Sequence, residues 1–343
     1  MGKNQHYIPR FLLRYFSEDI AKKSLTTYHI KNKSIILNAS IKNQASKDFI
    51  YGKDQTIETI LQNIETAAAN TVSKLLRNQE LSYTEKDALR IFIHFQLNRT
   101  PFNAENNNEM ANLVFKSMYN NHPTIGKIID DTTVELKNPF LLSILLSIET
   151  SGLLSDLSIN ILENNSKIPF ILGQRPAFII NPFLYEKNIK FFSQGIAVKG
   201  ICILLPVSFG KVIILYDKWC YKLIKKSDKL ELSIDDINKI NEYQFCYTSD
   251  CVYIKKCMDI DYLDTLSEVT QDFRVKNILE IQPVKYQGQR ILYEQTKIPK
   301  INPSISILKT RNQAYCEHLV PTKECLVRES IIPEVLKIEN DNE

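Results

Sequence analysis

The residue types that suggest chemistry first occur near the beginning of the chain, in the segment HYIPRFLLRYFS at 6–17. His6 carries an imidazole that titrates near neutral pH, and two arginines, Arg10 and Arg14, follow it. Guanidinium groups bind phosphate oxygens, and a nearby imidazole can transfer a proton. The segment therefore predicts acid/base chemistry beside a phosphodiester. The alternative is a histidine that only anchors the N-terminal segment through a hydrogen bond.

A second group of polar residues lies on two predicted helices. Glu58 and Glu65 are seven positions apart, so two helical turns return them to nearly the same face, and Gln96 and Arg99 stand at the end of the next helix. Paired carboxylates are ligands for a divalent cation, here Mg²⁺ or Mn²⁺. A buried set of Glu, Gln and Arg is costly unless its members satisfy one another. These residues predict either a functional pocket or a structural polar network in which the carboxylates pair with Arg99 or Arg10.

Hydrophobic periodicity indicates the elements that must position these residues. Residues 24–41 alternate around a polar Lys-Asn-Lys turn and predict a β-hairpin. Helical spacing begins at Ile57, and Thr84 with Asp87 resembles a capping box at the start of a second helix. Two further helices are predicted over 104–119 and 139–163. The middle of the chain is therefore expected to be a helical bundle.

Strand-like texture replaces the helical pattern from about position 168, interrupted by one helix that Ser233 should cap. We therefore predict an α+β fold, with a helical bundle packed on or inserted into a mostly antiparallel sheet. After position 287 the chain should be irregular, so that residues 291–343 form an appendage that could dock a partner. The expected organisation is one domain over 1–290, divided into a basic N-terminal segment with the hairpin (1–53), a helical part (54–165) and a β-rich part (166–258).

Charge and composition limit the classes of function. The 343 residues carry a net charge of only +4, but residues 1–53 hold ten basic and three acidic side chains, a net charge of +7. This segment predicts nucleic-acid contacts through Arg14, Lys22 and Lys23. The chain has nine glycines and neither GxxxxGK[ST] nor GxGxxG, which argues against a glycine-rich phosphate cradle. Seven cysteines, all beyond position 200, suit reduced buried thiols. With no targeting or membrane-spanning pattern visible, we expect a cytoplasmic protein.

The ordered motifs resemble those of the bacterial domain-of-unknown-function 4238 family. Members typically begin with His-Tyr-Val/Ile-Pro-Arg/Gln-Phe, as the segment at 6–17 does, and DFIYGKDQTIETILQNIE at 48–65 resembles the family's aromatic block ending in Ile-Glu. FIHFQLNRTP at 92–101 resembles its Gln-x-x-Arg-x-Pro helix end. FILGQRPAFIINP at 170–182 and ILLPVS at 203–208 resemble its later strands. The likeness covers roughly residues 4–255 and implies a fold more than an activity.

One departure from the family pattern concerns the candidate chemistry. Where members tend to carry Ser-Asp before x-Pro, this chain has Gly173, Gln174, Arg175 and Pro176, so that a carboxylate is replaced by Gln174. The resemblance also implies a toxin or phage-defence context.

Two functions from different classes remain. The first is a metal-dependent hydrolase of nucleic acid, with RNA as the expected substrate. Its site would combine His6, Arg10, Glu58, Glu65, Gln96 and Arg99. The second is a non-catalytic binding or regulatory module, which the missing carboxylate favours.

Overall fold

The computed structural model describes residues 4–53, 55–189, 195–225, 229–274, 279–286, 289–296, 301–315 and 327–333. The fold is α+β, as predicted. Its helices are α1 (Arg10–Tyr15), α2 (Gln55–Leu76), α3 (Tyr83–Asn98), α4 (Pro101–Tyr119), α5 (Pro139–Glu149), α6 (Pro182–Glu186), α7 (Ile234–Cys246) and α8 (Ile260–Val269). Its strands are β1 (Asn4–His6), β2 (Ser24–His29), β3 (Ser34–Ser40), β4 (Ser46–Asp48), β5 (Ser158–Glu163), β6 (Phe178–Ile180), β7 (Cys202–Ser208), β8 (Lys211–Tyr216), β9 (Tyr221–Leu223), β10 (Cys251–Ile254), β11 (Leu279–Tyr286), β12 (Gln289–Thr296) and β13 (Leu308–Thr310).

A four-stranded antiparallel sheet with the strand order β5-β8-β7-β6 lies between two hydrophobic clusters. Successive side chains of a strand point to opposite faces, and β7 follows this rule. Ile203 and Leu205 pack with the N-terminal segment, α2 and α3, whereas Cys202 and Leu204 pack with α7. Burial on both faces explains why β7 and β8 consist of nearly continuous apolar residues.

The N-terminal part contains two smaller sheets. The predicted hairpin is present as β2 and β3, and β10 pairs with the other edge of β2. Strand β1 pairs antiparallel with β4, with Asn4 opposite Asp48 and His6 opposite Ser46. This short pairing brings the first motif of the chain beside the segment that leads into α2.

The starts of α3 and α4 differ from the prediction. Helix α3 is capped by Ser82 and Glu85 rather than by Thr84 and Asp87: the Glu85 amide donates to Ser82 Oγ at 3.2 Å, and the Ser82 amide donates to the Glu85 carboxylate at 2.9 Å. Both pairs have the spacing of a capping box, so spacing alone could not separate them. Helix α4 begins at Pro101, three residues before the predicted start, because proline is favoured in the first turn of a helix.

The predicted helix over 139–163 is wrong in its second half. Helix α5 ends at Glu149, and a short 3₁₀ turn leads to β5, which pairs antiparallel with β8 at the edge of the central sheet. An apolar run of this length is compatible with either state, and here the pairing with β8 decides it. The N-terminal half of the run does form a helix, as predicted.

The second half of the chain is β-rich as predicted, with differences in detail. Ser233 caps α7, and its side chain accepts a hydrogen bond from the Asp236 amide at 3.1 Å. The apolar segment at 168–173 is not a strand and makes a single bridge between Leu172 and Tyr253. Four of the five described free cysteines are buried, as expected of structural thiols.

The C-terminal part contains more regular structure than predicted. Strand β12 pairs with β11, and β13 pairs with β9. Ile301, Ile305 and Ile307 are buried in the same cluster as α7, and the Ser306 amide donates to Asp236 Oδ1 at 2.8 Å. The segment at 301–307 therefore contributes three isoleucines to the core. Residues 297–300, 316–326 and 334–343 of the predicted appendage lie outside the described residues, and the division at 290 stays a prediction.

None of the helices in the described ranges combines the length and the apolar character needed to cross a bilayer.

Candidate functional site

The side chain of Gln5 ties the N-terminal strand to the start of α2. Gln5 is buried, and its Oε1 accepts a hydrogen bond from the Tyr51 amide at 2.8 Å. Its Nε2 donates to Glu58 Oε2 at 3.2 Å and to the Gly52 carbonyl at 3.3 Å. Alternation along β1 turns Gln5 inward between two partly exposed neighbours. The first of the two predicted carboxylates is thus engaged by the strand.

The second carboxylate belongs to a chain of polar contacts at the end of α3. Gln96 Nε2 donates to the Tyr7 carbonyl at 3.0 Å, and Arg99 Nη2 donates to Gln96 Oε1 at 3.3 Å. Arg99 Nη1 forms an ion pair with Glu65 Oε1 at 2.7 Å. Gln96 is fully buried and Arg99 is 1% exposed, whereas the Glu65 side chain keeps 26% exposure. One series of polar contacts therefore links Tyr7, Gln96, Arg99 and Glu65 on the interior side of the N-terminal segment.

Burial and the charge of Glu65 are the main influences on the pKa of Arg99 in this network. Burial acts to lower the pKa of Arg99, but the Glu65 charge, the Tyr51 phenol and the hydrogen bond to Glu65 together raise it. Burial also raises the pKa of the Tyr51 phenol. Arg99 is consequently a permanent cation, and Glu65 is the carboxylate that balances it. Arg99 Nε remains buried without a hydrogen-bond partner.

His6 lies at the border between this network and the surface. Its Nε2 accepts a hydrogen bond from Arg10 Nε at 2.9 Å, and its backbone carbonyl accepts one from the Tyr51 hydroxyl at 3.0 Å. Burial, followed by the positive charge of Arg10, lowers the pKa of His6 to about 4. The imidazole is therefore neutral at pH 7, and it is a weak base. Its Nδ1 is buried without a partner.

The predicted nucleic-acid contacts lie on the surface, outside the buried network. Arg14, Lys22 and Lys23 are exposed, as is Arg10. Lys22 Nζ donates to the Ser17 carbonyl at 2.6 Å, which ties one of these ammonium groups to the end of α1. The basic residues remain accessible to a polyanion.

Gln174 and Arg175 lie on the segment that precedes β6 and contacts the end of α7. The backbone N–H of Gln174 donates to Thr248 Oγ1 at 3.0 Å. The Gln174 side-chain Oε1 accepts hydrogen bonds from the Ser249 amide at 3.2 Å and from the Ser249 hydroxyl at 3.1 Å. The side chain of Gln174, at the position where the family tends to have Asp, thus binds the loop after α7 through Ser249. An aspartate side chain is one methylene shorter and carries no N–H donor.

A cleft opens where this segment meets the junction between α3 and α4. Its walls are formed by Thr100, Pro101, Phe102, Glu105, Gln174, Tyr247 and Ser249. Arg175 lies against two of these walls: its Cζ is 5.2 Å from the centre of the Phe102 ring and 4.6 Å from that of Tyr247. The cleft walls combine two aromatic rings, hydroxyl groups, an amide and a carboxylate, and the Arg175 guanidinium packs against both rings.

Tyr7 connects the cleft with the polar network. Its carbonyl accepts the hydrogen bond from Gln96. Burial raises the pKa of its phenol, and hydrogen bonding to the Gln174 side chain acts in the opposite direction. Segments that are far apart in sequence, at 6–17, 92–101 and 170–182, therefore meet around one buried tyrosine.

The structure places the six residues predicted to be catalytic in three groups. His6 and Arg10 contact each other near the surface. Glu65, Gln96 and Arg99 are linked inside, and Gln96 also contacts the Tyr7 carbonyl. Glu58 contacts the Gln5 side chain instead. Within the described ranges, no three His, Cys, Asp or Glu side chains are placed to share a metal ion. Glu58 and Glu65 lie on one helix as predicted, but each has a different protein partner.

Sequence reasoning missed Gln5, Tyr51, Phe102 and Tyr247. Gln5 precedes the motif that drew attention to His6, and only its inward position on β1 reveals its role. Tyr51 lies inside the aromatic block at 48–65, which was a usable signal. Phe102 and Tyr247 are 145 positions apart and face each other at 6.5 Å only in the folded chain.

Comparisons with known proteins give a family and no activity. No curated protein matches the chain significantly, and no solved structure does so either. A family model described as "Protein of unknown function (DUF4238)" matches residues 4–256, which cover the network and the cleft. The chain therefore belongs to the DUF4238 family.

Proposed function

We propose that this protein is a non-catalytic binding module, in which the polar network holds the N-terminal segment in place and the cleft beside it takes the ligand. The observation that carries the proposal is the burial of the network: Gln96 is 0% and Arg99 1% exposed. A substrate cannot contact groups that are sealed inside the protein. Their contacts with the Tyr7 carbonyl and Glu65 instead join the N-terminal segment, α2 and the end of α3.

The protonation state of His6 supports the same proposal. A general base works best when its pKa lies near the working pH, and His6 titrates near 4. Its Nε2 lone pair is already used by Arg10. Glu58 and Glu65, which a divalent cation would need together, each bind another protein group. Catalysis at this place would require several of these contacts to break.

A hydrolase of nucleic acid, with RNA as the expected substrate, is the second candidate. Its support is the surface position of Arg10 and Arg14 beside a partly exposed, neutral His6. A neutral imidazole can accept a proton, and the arginines can hold phosphates. Mg²⁺ or Mn²⁺ would be the cofactor to supply, and a toxin or phage-defence role would be its context.

One experiment separates the two candidates. Purified protein is incubated with labelled total RNA and with single-stranded DNA, with and without Mg²⁺ or Mn²⁺, and the melting temperature of every variant is recorded. The variants are His6→Ala, Glu65→Gln and, as a matched control, His29→Ala, whose imidazole lies on β2 outside the network. We expect no cleavage by any form and a lower melting temperature for Glu65→Gln.

Cleavage that is lost in His6→Ala, retained in His29→Ala and independent of any change in melting temperature would overturn the binding module. That result would establish the hydrolase and locate its site at the N-terminal motif.

A further inference from the structure

Arg175 is a buried cation whose charge no described residue balances. The residue is 8% exposed, and no ion pair or hydrogen bond joins it to another described residue. Its Nε is sealed from solvent without a partner. A buried charge is normally paired, because desolvation costs several kcal/mol. By contrast, Arg99 and Arg328, which are also buried, have Glu65 and Asp156 as partners.

The described contacts of the Arg175 guanidinium are two aromatic rings. The rings of Phe102 and Tyr247 pack against it and supply cation–π attraction, which is weaker than an ion pair. Burial lowers the pKa of Arg175, with only Tyr247 opposing this. The terminal nitrogens, unlike Nε, are not sealed from solvent. An Arg fork with free terminal N–H groups matches the two oxygens of a carboxylate or a phosphate.

The first turn of α4 adds a second source of positive potential. Thr100 caps this 19-residue helix, and Thr100, Pro101 and Phe102 all line the cleft. The N-terminus of a helix of this length carries a partial positive charge, which favours anions. Two independent features, the unpaired guanidinium and the helix end, thus meet at Phe102.

We propose that the cleft between α4 and the end of α7 is an oxyanion site, in which Arg175 binds a carboxylate or phosphate group of the ligand. This inference rests on the proposed binding function and names the chemical class of its ligand. The ring faces of Phe102 and Tyr247 orient the guanidinium, and the anion approaches its open edge. Gln174 and Ser249, which both line the cleft, are joined to each other by hydrogen bonds.

Glu105 is the carboxylate that competes for this position. It lines the same cleft, it is exposed, and it lies one helical turn after the cap of α4. Its charge repels an incoming anion. Removing that charge should therefore strengthen anion binding, whereas removing the Arg175 charge should weaken it. A purely structural arginine would not produce this pair of opposite effects.

The test is isothermal titration of the full chain with inorganic phosphate and, separately, with sodium acetate, at constant ionic strength maintained with sodium chloride. We expect saturable binding of at least one of the two anions, and the preferred anion identifies the ligand group. Arg175→Gln should weaken binding by about tenfold or more, since a charge-assisted bidentate contact is lost. Glu105→Gln should tighten binding about threefold, the size of one exposed charge interaction.

Arg77→Gln is the matched control, because Arg77 is an exposed arginine outside the cleft that bonds its own helix. Circular dichroism shows whether Arg175→Gln is folded; if it is not, the Glu105→Gln titration decides alone. Absence of saturable binding by wild type and Glu105→Gln, or equal binding by wild type and folded Arg175→Gln, would overturn the oxyanion site. Neither result would contradict the proposed binding module itself, because that proposal is tested separately by the RNA-cleavage assay.

Discussion

The ion pair between Arg99 and Glu65 offers the sharpest test of the structural role of the network. In Glu65→Leu the Arg99 guanidinium, whose side chain is 2% exposed, keeps only the hydrogen bond to Gln96. Removing one partner of a buried ion pair costs about 3–5 kcal/mol. Glu65 keeps 26% exposure, so water can partly replace it, and we expect the lower end, about 3 kcal/mol. With an unfolding entropy of about 0.7 kcal/mol/K for a chain of this length, the melting temperature should fall by about 4 °C.

A double-mutant cycle checks whether this loss belongs to the pair. Arg99→Met and the double variant with Glu65→Leu complete the cycle, with free energies of unfolding measured in urea. The double variant should lose less than the sum of the single variants, by about 2 kcal/mol, because no unpaired charge remains inside.

Glu268→Leu is the control, since Glu268 pairs with Lys33 on the surface and its loss should cost less than about 1 kcal/mol. Additive single variants, or a Glu65→Leu protein as stable as wild type, would refute the structural network.

Three further predictions concern stability. Burial lowers the pKa of both His6 and His94 to about 4, so the unfolded chain takes up these two protons first as the pH falls below 6.5. Each histidine should lower the free energy of unfolding by about 2 kcal/mol between pH 7 and 5, and His94→Gln should remove about half of the combined drop measured in urea. Gly173→Ala should cost about 1–3 kcal/mol, because an added Cβ would overlap the Thr248 hydroxyl; wild-type stability in urea would contradict the close approach. Ser82→Ala should cost about 1 kcal/mol by removing the cap of α3, whereas an unchanged thermal midpoint would show that the cap contributes nothing.

The fold class and several elements could be predicted from local sequence. The hairpin of β2 and β3, the long helix α2 and the cap of α7 each follow from periodicity or from a capping residue. Strand β5 could not be predicted in this way, because its apolar residues suit a helix as well and only the pairing with β8 selects the strand. The predicted start of α3 was wrong by two residues for a related reason, since two possible capping pairs overlap in the sequence.

The candidate site shows the same division. Residue types alone singled out Glu65, Gln96 and Arg99 and left two possibilities, a pocket or a structural network. Side-chain burial favours the network, and burial depends on which helix covers which strand. The carboxylates Glu58 and Glu65 share a helix, yet they have separate partners because β1 and the end of α3 lie at different heights along α2.

The sequence by itself determined the elements and the chemical types available, because hydrophobic periodicity and capping act over a few residues. It also carried the family, through short ordered motifs. Only the tertiary structure decided which charges are paired. Arg99 and Arg175 have the same side chain, but Glu65 balances one, whereas Phe102 and Tyr247 contact the other. That difference arises from contacts between residues up to 145 positions apart, which no local pattern encodes.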